Sequence, residues 1–524
     1  MAFFLLRPAK PSSHPRFLST LPQLTPQESQ LLDDLYSLLQ SHHTPTPLPT
    51  PLPPSFTIPS LSASLSRLSP TPLPPHLPAL VIRRSSLPRH LPSIPFPPTL
   101  SFFNWYLSSV PTPPPSPSPD PFLALLDLSA KLRHFHISHH LLHLMKSLRV
   151  PVPASAFHSL IRRYARARLP DDALSAFLLM PDFSVPQTPH SFSLLISALS
   201  RQRLASHAQA AFDRLRPLFP PDVVTYSSLV HAWCRAGDIP RAEAVFLDMQ
   251  ARSVPPNVYT YTAVIDALCR AGQLPRAQEV LRQMLDRGCP PNAATFNALL
   301  RAHVRSSRPP DQALQLHNQM RQLGVEPDVL TYNLLIDAHC RKGQRNLDAA
   351  LKVLGSMAAR GCAPDVHSFN PIFKCAVELG DVGAANRLYE RMREAGCKPN
   401  TVTYNLLMEM FGRDQKSMDM VMKMKKEMDE GGVEPNVNTY KVLISAFCGR
   451  GNWKKAYQLL REMVEDKCWK PTVPLYEMVL GLLRRAGQLK RHGELVEKMT
   501  QRGFMAKDEV NSRTGNKAKR LFAA

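Results

Sequence analysis

Residues Val258–Asn292 read VYTYTAVIDALCRAGQLPRAQEVLRQMLDRGCPPN, and the chain restates this 35-residue string on either side with drift. Val264, Ile265, Ala267 and Leu268 recur at helical spacing, which predicts a helix over about Thr260–Arg270. Gly272 then supplies a residue that can turn left-handed and end it. Leu274, Ala277, Val280, Leu281 and Met284 place one apolar face on a second helix, Leu274–Asp286, which Gly288, Pro290 and Pro291 stop. A hairpin of two such short helices cannot bury both apolar faces alone, so it must stack on neighbours.

The chain supplies those neighbours. An apolar residue near the end of each second helix falls at Met180, Leu215, Met249, Met284, Met320, Met357, Met392, Met428, Met463 and Met499, in steps of 34 to 37. A small residue inside that helix keeps the same period at Ala173, Ala208, Ala242, Ala277, Ala313, Ala350, Ala385 and Ala456. Gly237, Gly272, Gly343, Gly380, Gly451 and Gly487 mark the turns between helices. Two independent markers on one period define a solenoid, here of ten or eleven units, with a degenerate one over 119–153.

The surroundings are of a different kind. Of 53 prolines, more than half precede Phe122, as in TPTPLPTPLPPSF within residues 43–75, a composition that reads as linker. Apolar periodicity returns between Leu80 and Val110, with Phe102, Phe103, Trp105 and Tyr106, and predicts a short helical cap. The first residues carry Arg7, Lys10 and Arg16 with Ser12, Ser13, Ser19 and Thr20 and no acid before Glu28, the composition of an organelle transit peptide. Arg16-Phe17-Leu18-Ser19 resembles a mitochondrial processing site, so mitochondrion is expected, with chloroplast the alternative. The expected organisation is therefore a transit peptide at 1–25, a proline-rich linker with a helical cap at 26–118, and degenerate repeats at 119–188. The main array follows at 189–472, then a terminal capping repeat at 473–505 and a basic tail at 506–524. A formal net charge of +22 and a pI near 9.8 favour a polyanionic partner, and no apolar run is long enough to span a bilayer.

Each central unit opens on a Thr-aromatic pair, as in Val223-Val224-Thr225-Tyr226-Ser227, Val329-Leu330-Thr331-Tyr332-Asn333 and Thr401-Val402-Thr403-Tyr404-Asn405. Each closes on Gly, two variable residues, Pro and Asp or Asn: GVEPD at 324–328, GCAPD at 361–365, GCKPN at 396–400 and GVEPN at 432–436. In this the chain resembles the pentatricopeptide repeat family, of the pure 35-residue P-class and plant organellar type, most closely from Val223 to about Thr472. The resemblance implies an all-α, right-handed α-solenoid superhelix whose first helices line a groove for single-stranded RNA, one base per unit. It also implies that two side chains per unit read the base: the residue after the Thr-aromatic pair and the last residue of the unit.

Carried over by position, Ser193 with Asp222 suits G, while Ser227 with Asn257 and Thr262 with Asn292 suit A. Asn297 with Asp328 and Asn333 with Asp365 suit U; Asn370 with Asn400 and Asn405 with Asn436 suit a pyrimidine. The implied site is 5′-GAAUUYY-3′. His158 with Thr188, Lys441 with Thr472, and Glu477 depart from the family's pairs and receive no base. Read without the family, the closing Asp or Asn is also what a helix N-terminus wants as a cap, and the first-helix Asn, Thr or Ser can be a solvated polar face.

No other chemistry is expected. The nine cysteines follow the repeat without a C-x-x-C, and His134, His136, His139, His140 and His143 lack supporting acids, so neither metal nor disulfide is expected. His492-Gly493-Glu494 matches the H-x-E of zinc deaminases without the downstream cysteine pair, and the short tail leaves no room for a catalytic domain. The chain is expected to be a monomeric, non-enzymatic RNA binder without cofactor, possible protein partners aside. The alternative is a structural scaffold in an organellar ribosome or similar assembly.

Overall fold

The computed structural model describes residues 25–42, 51–69, 73–74, 76–85, 94–109, 118–306, 309–341, 344–413 and 418–501. Residues 1–24 of the expected transit peptide at 1–25, the basic tail from 506 and the turn residue Gly343 lie outside them. All regular structure among the described residues is helical. The chain divides into two compact units, Met1–Thr260 and Tyr261–Ala524.

The front holds α1 (Pro26–Ser41), α2 (Pro59–Leu68), α3 (Leu77–Arg84) and α4 (Phe96–Ser109). Eleven helical hairpins follow. They begin with α5 (Pro119–Lys131) and α6 (Phe135–Ser147), α7 (Ala154–Ala167) and α8 (Pro170–Leu178), α9 (Pro189–Arg201) and α10 (Ala205–Leu215), and α11 (Val223–Ala236) and α12 (Ile239–Ala251). Next come α13 (Val258–Arg270) and α14 (Leu274–Asp286), α15 (Ala293–Arg305) and α16 (Pro310–Gln322), and α17 (Val329–Cys340) and α18 (Leu347–Ala359). The last are α19 (Val366–Leu379) and α20 (Val382–Glu394), α21 (Thr401–Arg413) and α22 (Met418–Glu430), α23 (Val437–Gly449) and α24 (Trp453–Glu465), and α25 (Val473–Arg485) and α26 (Leu489–Gln501). α13 starts two residues before the periodicity predicts because Asn257 Oδ1 accepts the Thr260 N–H at 2.9 Å and caps the helix there.

Within each unit, first helices pack on first helices: α5 on α7, α7 on α9 and α9 on α11 in one, and α15 through α25 in the same odd-numbered order in the other. Met249, Met284, Met320, Met357, Met392, Met428 and Met463 are all wholly buried, and Ala173, Ala208, Ala277, Ala350 and Ala456 are equally buried. In the hairpin α21–α22, where the small-residue marker lapses, Val421 takes the position and is wholly buried too. Gly237 and Gly380 end α11 and α19 in the left-handed region, at φ 83° and 74°.

The front corrects one expectation. Residues 51–69, read as linker, are packed: Leu61 and Leu65 of α2 are wholly buried. Asn104 of α4 donates to the Pro54 and Phe56 carbonyls at 3.0 and 2.9 Å, and the Ile58 N–H donates to Ser101 Oγ at 2.8 Å. Prolines leave this strap short of N–H donors, and two of its carbonyls are satisfied by Asn104 of α4, a long-range arrangement that composition cannot disclose. α3 and α4 pack on α5, with Phe103 edge-on to Phe122 at 5.1 Å, so the front covers the exposed side of the first hairpin. Two of the clustered histidines belong to this joint, His134 stacking on Phe96 and His136 Nε2 meeting the Leu52 carbonyl at 2.7 Å, whereas His139 Nε2 meets the Tyr164 hydroxyl of the next hairpin at 2.8 Å. Asn104→Ala removes two bonds to the strap, at about 1–2 kcal/mol together. It is expected to speed proteolytic cleavage within 51–58 by about tenfold. Unchanged digestion would mean that the strap is held otherwise.

Candidate nucleic-acid interface

The expected site residues meet at the N-termini of the first helices. The last residue of each unit is the N-cap of the next unit's first helix. Its Oδ1 accepts the backbone N–H three residues on: Asp222 from Thr225, Asn257 from Thr260, Asn292 from Thr295 and Asp328 from Thr331. Asp365 does so from Ser368, Asn400 from Thr403 and Asn436 from Thr439. The capping reading of these residues is therefore correct, and it fixes their geometry.

Each cap is joined to the first-helix residue that it was paired with. Ser193 Oγ donates to Asp222 Oδ1 at 2.7 Å. Asn297 Nδ2 donates to Asp328 Oδ1 and Oδ2 at 3.0 and 3.3 Å, and Asn333 Nδ2 to Asp365 Oδ1 at 3.2 Å. Asn370 and Asn405 reach Asn400 Oδ1 and Asn436 Oδ1 at 3.5 and 3.3 Å. Ser227 and Thr262 are joined through one intermediary: their hydroxyls lie 2.6 and 2.7 Å from the hydroxyls of Thr260 and Thr295, which donate to Asn257 Oδ1 and Asn292 Oδ1 at 2.9 and 3.0 Å.

That intermediary is the opening Thr of the Thr-aromatic pair, whose role the sequence did not reveal. Thr225, Thr260, Thr295, Thr331, Ser368, Thr403 and Thr439 are all wholly buried. Thr331 Oγ1 accepts the Asp328 N–H at 3.2 Å and stands 2.8 Å from both Asn297 Oδ1 and Asp328 Oδ1. A buried hydroxyl with one proton and two lone pairs thus ties a helix start to the preceding unit. The signal was present as a Thr or Ser three residues after every closing Asp or Asn.

The cap decides which atom each closing residue has left. Oδ1 must be an oxygen because it accepts an N–H, so the other atom of Asn257, Asn292, Asn400 and Asn436 is an amide nitrogen with donors only. In Asp222, Asp328 and Asp365 it is a carboxylate oxygen that only accepts. Burial pushes these three carboxyls up, but hydrogen bonds from the backbone, from Thr225, Thr331 and Ser368, and from Ser193, Asn297 and Asn333 outweigh it and hold them below the usual aspartate range. A lowered folded value means that the stabilisation is fully present above the unfolded value, about 3.9, and is lost as pH falls through the folded values. Asp222→Asn/Asp328→Asn/Asp365→Asn keeps the caps without the titration. Thermal melts between about pH 6 and 3 are expected to show a smaller acid-induced loss in this variant than in the wild type. Equal losses would contradict it.

The closing residues are exposed or half-buried, whereas Ser193, Ser227, Asn297 and Asn405 are buried beneath them and Thr262, Asn333 and Asn370 are half-buried. Two residues past the caps, Val224, Tyr259, Leu330 and Val402 each leave about half of their surface exposed, at 55, 53, 41 and 50%. At the far ends of the first helices stands a row that the sequence reading missed although it has the same period: Arg201, Arg235, Arg270, Arg305, Arg341, Arg413, Arg450 and Arg485, broken by Glu378, which pairs with Arg345 at 3.3 Å. Cations there suit the helix C-terminus and line this end of the helices with positive charge.

Among the described residues, no three His, Cys, Asp or Glu converge to hold a metal, and no helix is long and apolar enough to cross a membrane. Cys234, Cys269, Cys340, Cys375 and Cys448 are buried, and His492 Nε2 accepts from Arg484 Nε at 2.9 Å. Lys441 is exposed and Thr472 makes no side-chain cap, so the arrangement of the seven units does not continue there.

Two chloroplastic pentatricopeptide repeat-containing proteins of Arabidopsis thaliana are each 32% identical to the chain, over 74 and 66 residues. The matches cover 14 and 13% of this chain and only 15 and 10% of those relatives. Among solved structures, the pentatricopeptide repeat protein PPR10 in complex with an 18-nt psaJ RNA element is similar at 22% identity, 91% coverage of this chain, 69% of that one and a TM-score of 0.47. Yeast Rmd9p in complex with a 16-nt target RNA is similar at 12% identity, 92 and 97% coverage and a TM-score of 0.38. The model of the PPR repeat family matches residues 221–270, 261–305, 292–341, 327–378, 364–413 and 399–449, and that of the PPR repeat matches 155–185 and 438–468. With more than half of its length matched in this way, and with helical hairpins on the matching period, the chain belongs to the pentatricopeptide repeat family, in its P-class of 35-residue units.

Proposed function

We propose that the chain is a sequence-selective single-stranded RNA-binding protein that reads 5′-GAAUUYY-3′ through seven successive pairs. The observation that carries this reading is the atom left over by each cap. The amide N–H left over at Asn257, Asn292, Asn400 and Asn436 complements the ring nitrogen acceptor on the Watson–Crick edge of A or C. A carboxylate oxygen at Asp222, Asp328 and Asp365 complements the imino N–H of G or U. The paired residue sorts by size: Ser193, Ser227 and Thr262 leave room for a purine, while the longer Asn297, Asn333, Asn370 and Asn405 fit a pyrimidine. Val224, Tyr259, Leu330 and Val402 offer flat or apolar surfaces against base faces, and the arginine row attracts phosphate. A scaffold has no use for such alternation of donors and acceptors.

By occupying its site the protein acts without catalysis, as a monomer, to block an exonuclease, remodel a structure, or aid splicing or translation in an organelle. The relatives' names favour the chloroplast over the mitochondrion, and import of an N-terminal fusion into each organelle tests that choice. The binding test is a gel-shift titration of GAAUUUC against a scrambled RNA of the same composition. Preference of about tenfold or more is expected, with both affinities falling steeply as salt rises from about 50 to 200 mM. Equal affinity for the two RNAs at moderate salt would overturn sequence reading.

A further inference from the structure

The link of first-helix side chain, buried hydroxyl and closing residue also occurs where the family's pairs gave no base. In the hairpin α7–α8, His158 holds the position that Ser193 and Ser227 hold in theirs, and Thr188 is the closing residue. His158 Nε2 lies 2.8 Å from Ser191 Oγ, the Ser191 N–H donates to Thr188 Oγ1 at 3.2 Å, and the two hydroxyls are 3.1 Å apart. Ser191 is buried like the seven opening hydroxyls. Two residues past the cap, where Val224 and Tyr259 stand in their units, His190 is exposed. Its ring centre lies 5.6 Å from that of His158 with the planes at 74°. One turn beyond His158, the exposed Arg162 adds a cation, its Nε donating to the His158 carbonyl at 3.1 Å.

We propose that His158, Thr188 and His190 form an eighth nucleotide site, taking the residue on the 5′ side of GAAUUYY by stacking and with little preference among bases. This rests on the reading of function above. Base tolerance follows from the groups present. The Thr188 hydroxyl can both donate and accept, so it does not sort bases by their ring nitrogen as an Asn amide or an Asp carboxylate does. What the site adds is the exposed imidazole of His190, with the half-buried His158 ring at 74° beside it, and every base has a π-face to lay on such a ring.

The test compares octamers 5′-N-GAAUUUC-3′, with N as A, G, C, U or an abasic nucleotide, on the full chain. The abasic octamer matches the others in length and charge, so phosphate contacts cancel. Each of the four bases is expected to improve affinity at least about fivefold over the abasic octamer, with the four within about threefold of each other. In His158→Ala/His190→Ala, the ratio of base-bearing to abasic affinity is expected to fall to about one. Equal binding of abasic and base-bearing RNA by the wild type would overturn the proposal, as would a ratio that survives the double substitution. Selective binding of the heptamer with no gain from the eighth base would sink this site alone. Failure to prefer the heptamer over its scrambled control would overturn both the functional reading and this inference.

Discussion

Thr262→Asn/Asn292→Asp is expected to change the third base from A to U and to leave the fold intact. In the wild type, Asn292 Oδ1 is fixed by the Thr295 N–H at 3.1 Å, so its amide nitrogen is left as a donor, and Thr262 reaches only the Thr295 hydroxyl. An Asp at 292 caps equally well but leaves an acceptor, which suits the imino N–H of U and repels the ring nitrogen of A. An Asn at 262 reproduces the neighbouring unit, where Asn297 and Asp328 are joined at 3.0 Å. An unmatched polar group in such a contact costs about 1–3 kcal/mol, or some five- to 150-fold. GAAUUUC should therefore bind the wild type at least about tenfold better than GAUUUUC, and the double variant should reverse the order. Fluorescence anisotropy with both RNAs checks it. Loss of affinity for both alike would indicate damage to the unit rather than altered reading.

Thr331→Val is expected to be the most damaging change that alters one hydroxyl. Valine keeps the volume, so packing of the wholly buried side chain is unchanged. The hydroxyl is the acceptor for the Asp328 N–H and the partner of Asn297 Oδ1. Leaving those buried groups unmatched costs about 1–3 kcal/mol, concentrated at the start of α17. Hydrogen exchange of the first turn of α17 should accelerate by about tenfold or more, and discrimination of U at the fourth base should fall with it. Thr331→Ser should restore both, since Ser368 already serves in the same position in the next unit, donating to Asn333 Oδ1 at 2.6 Å. If valine leaves exchange unchanged, the hydroxyl is a bystander.

These residues show which parts of the molecule sequence can disclose. The array was legible because its markers are local and repeated: Met284 and Ala277 must be buried wherever a hairpin stacks, so their period gives the fold. The pairs were legible as positions. Their hydrogen bonds were not, because Asn297 and Asp328 meet only when consecutive helices are stacked. The opening Thr stood in plain view as a motif, but its burial gave it a purpose that no spacing reveals. The strap at 51–58 departs from the linker reading for a related reason: its partner Asn104 lies about fifty residues on, and proline content speaks of local stiffness rather than of a distant donor. The arginine row has a period as plain as that of the methionines, but a cation in the last turn suits any helix C-terminus, so its spacing alone does not mark it out.

The most direct test is selection from a random RNA pool by the wild type and by Thr262→Asn/Asn292→Asp side by side. The wild type should enrich GAAUUYY, and the variant should enrich a site that differs from it at the third position alone, U for A. Identical sites from both proteins, or no enriched site from either, would contradict the claim that each pair reads one base.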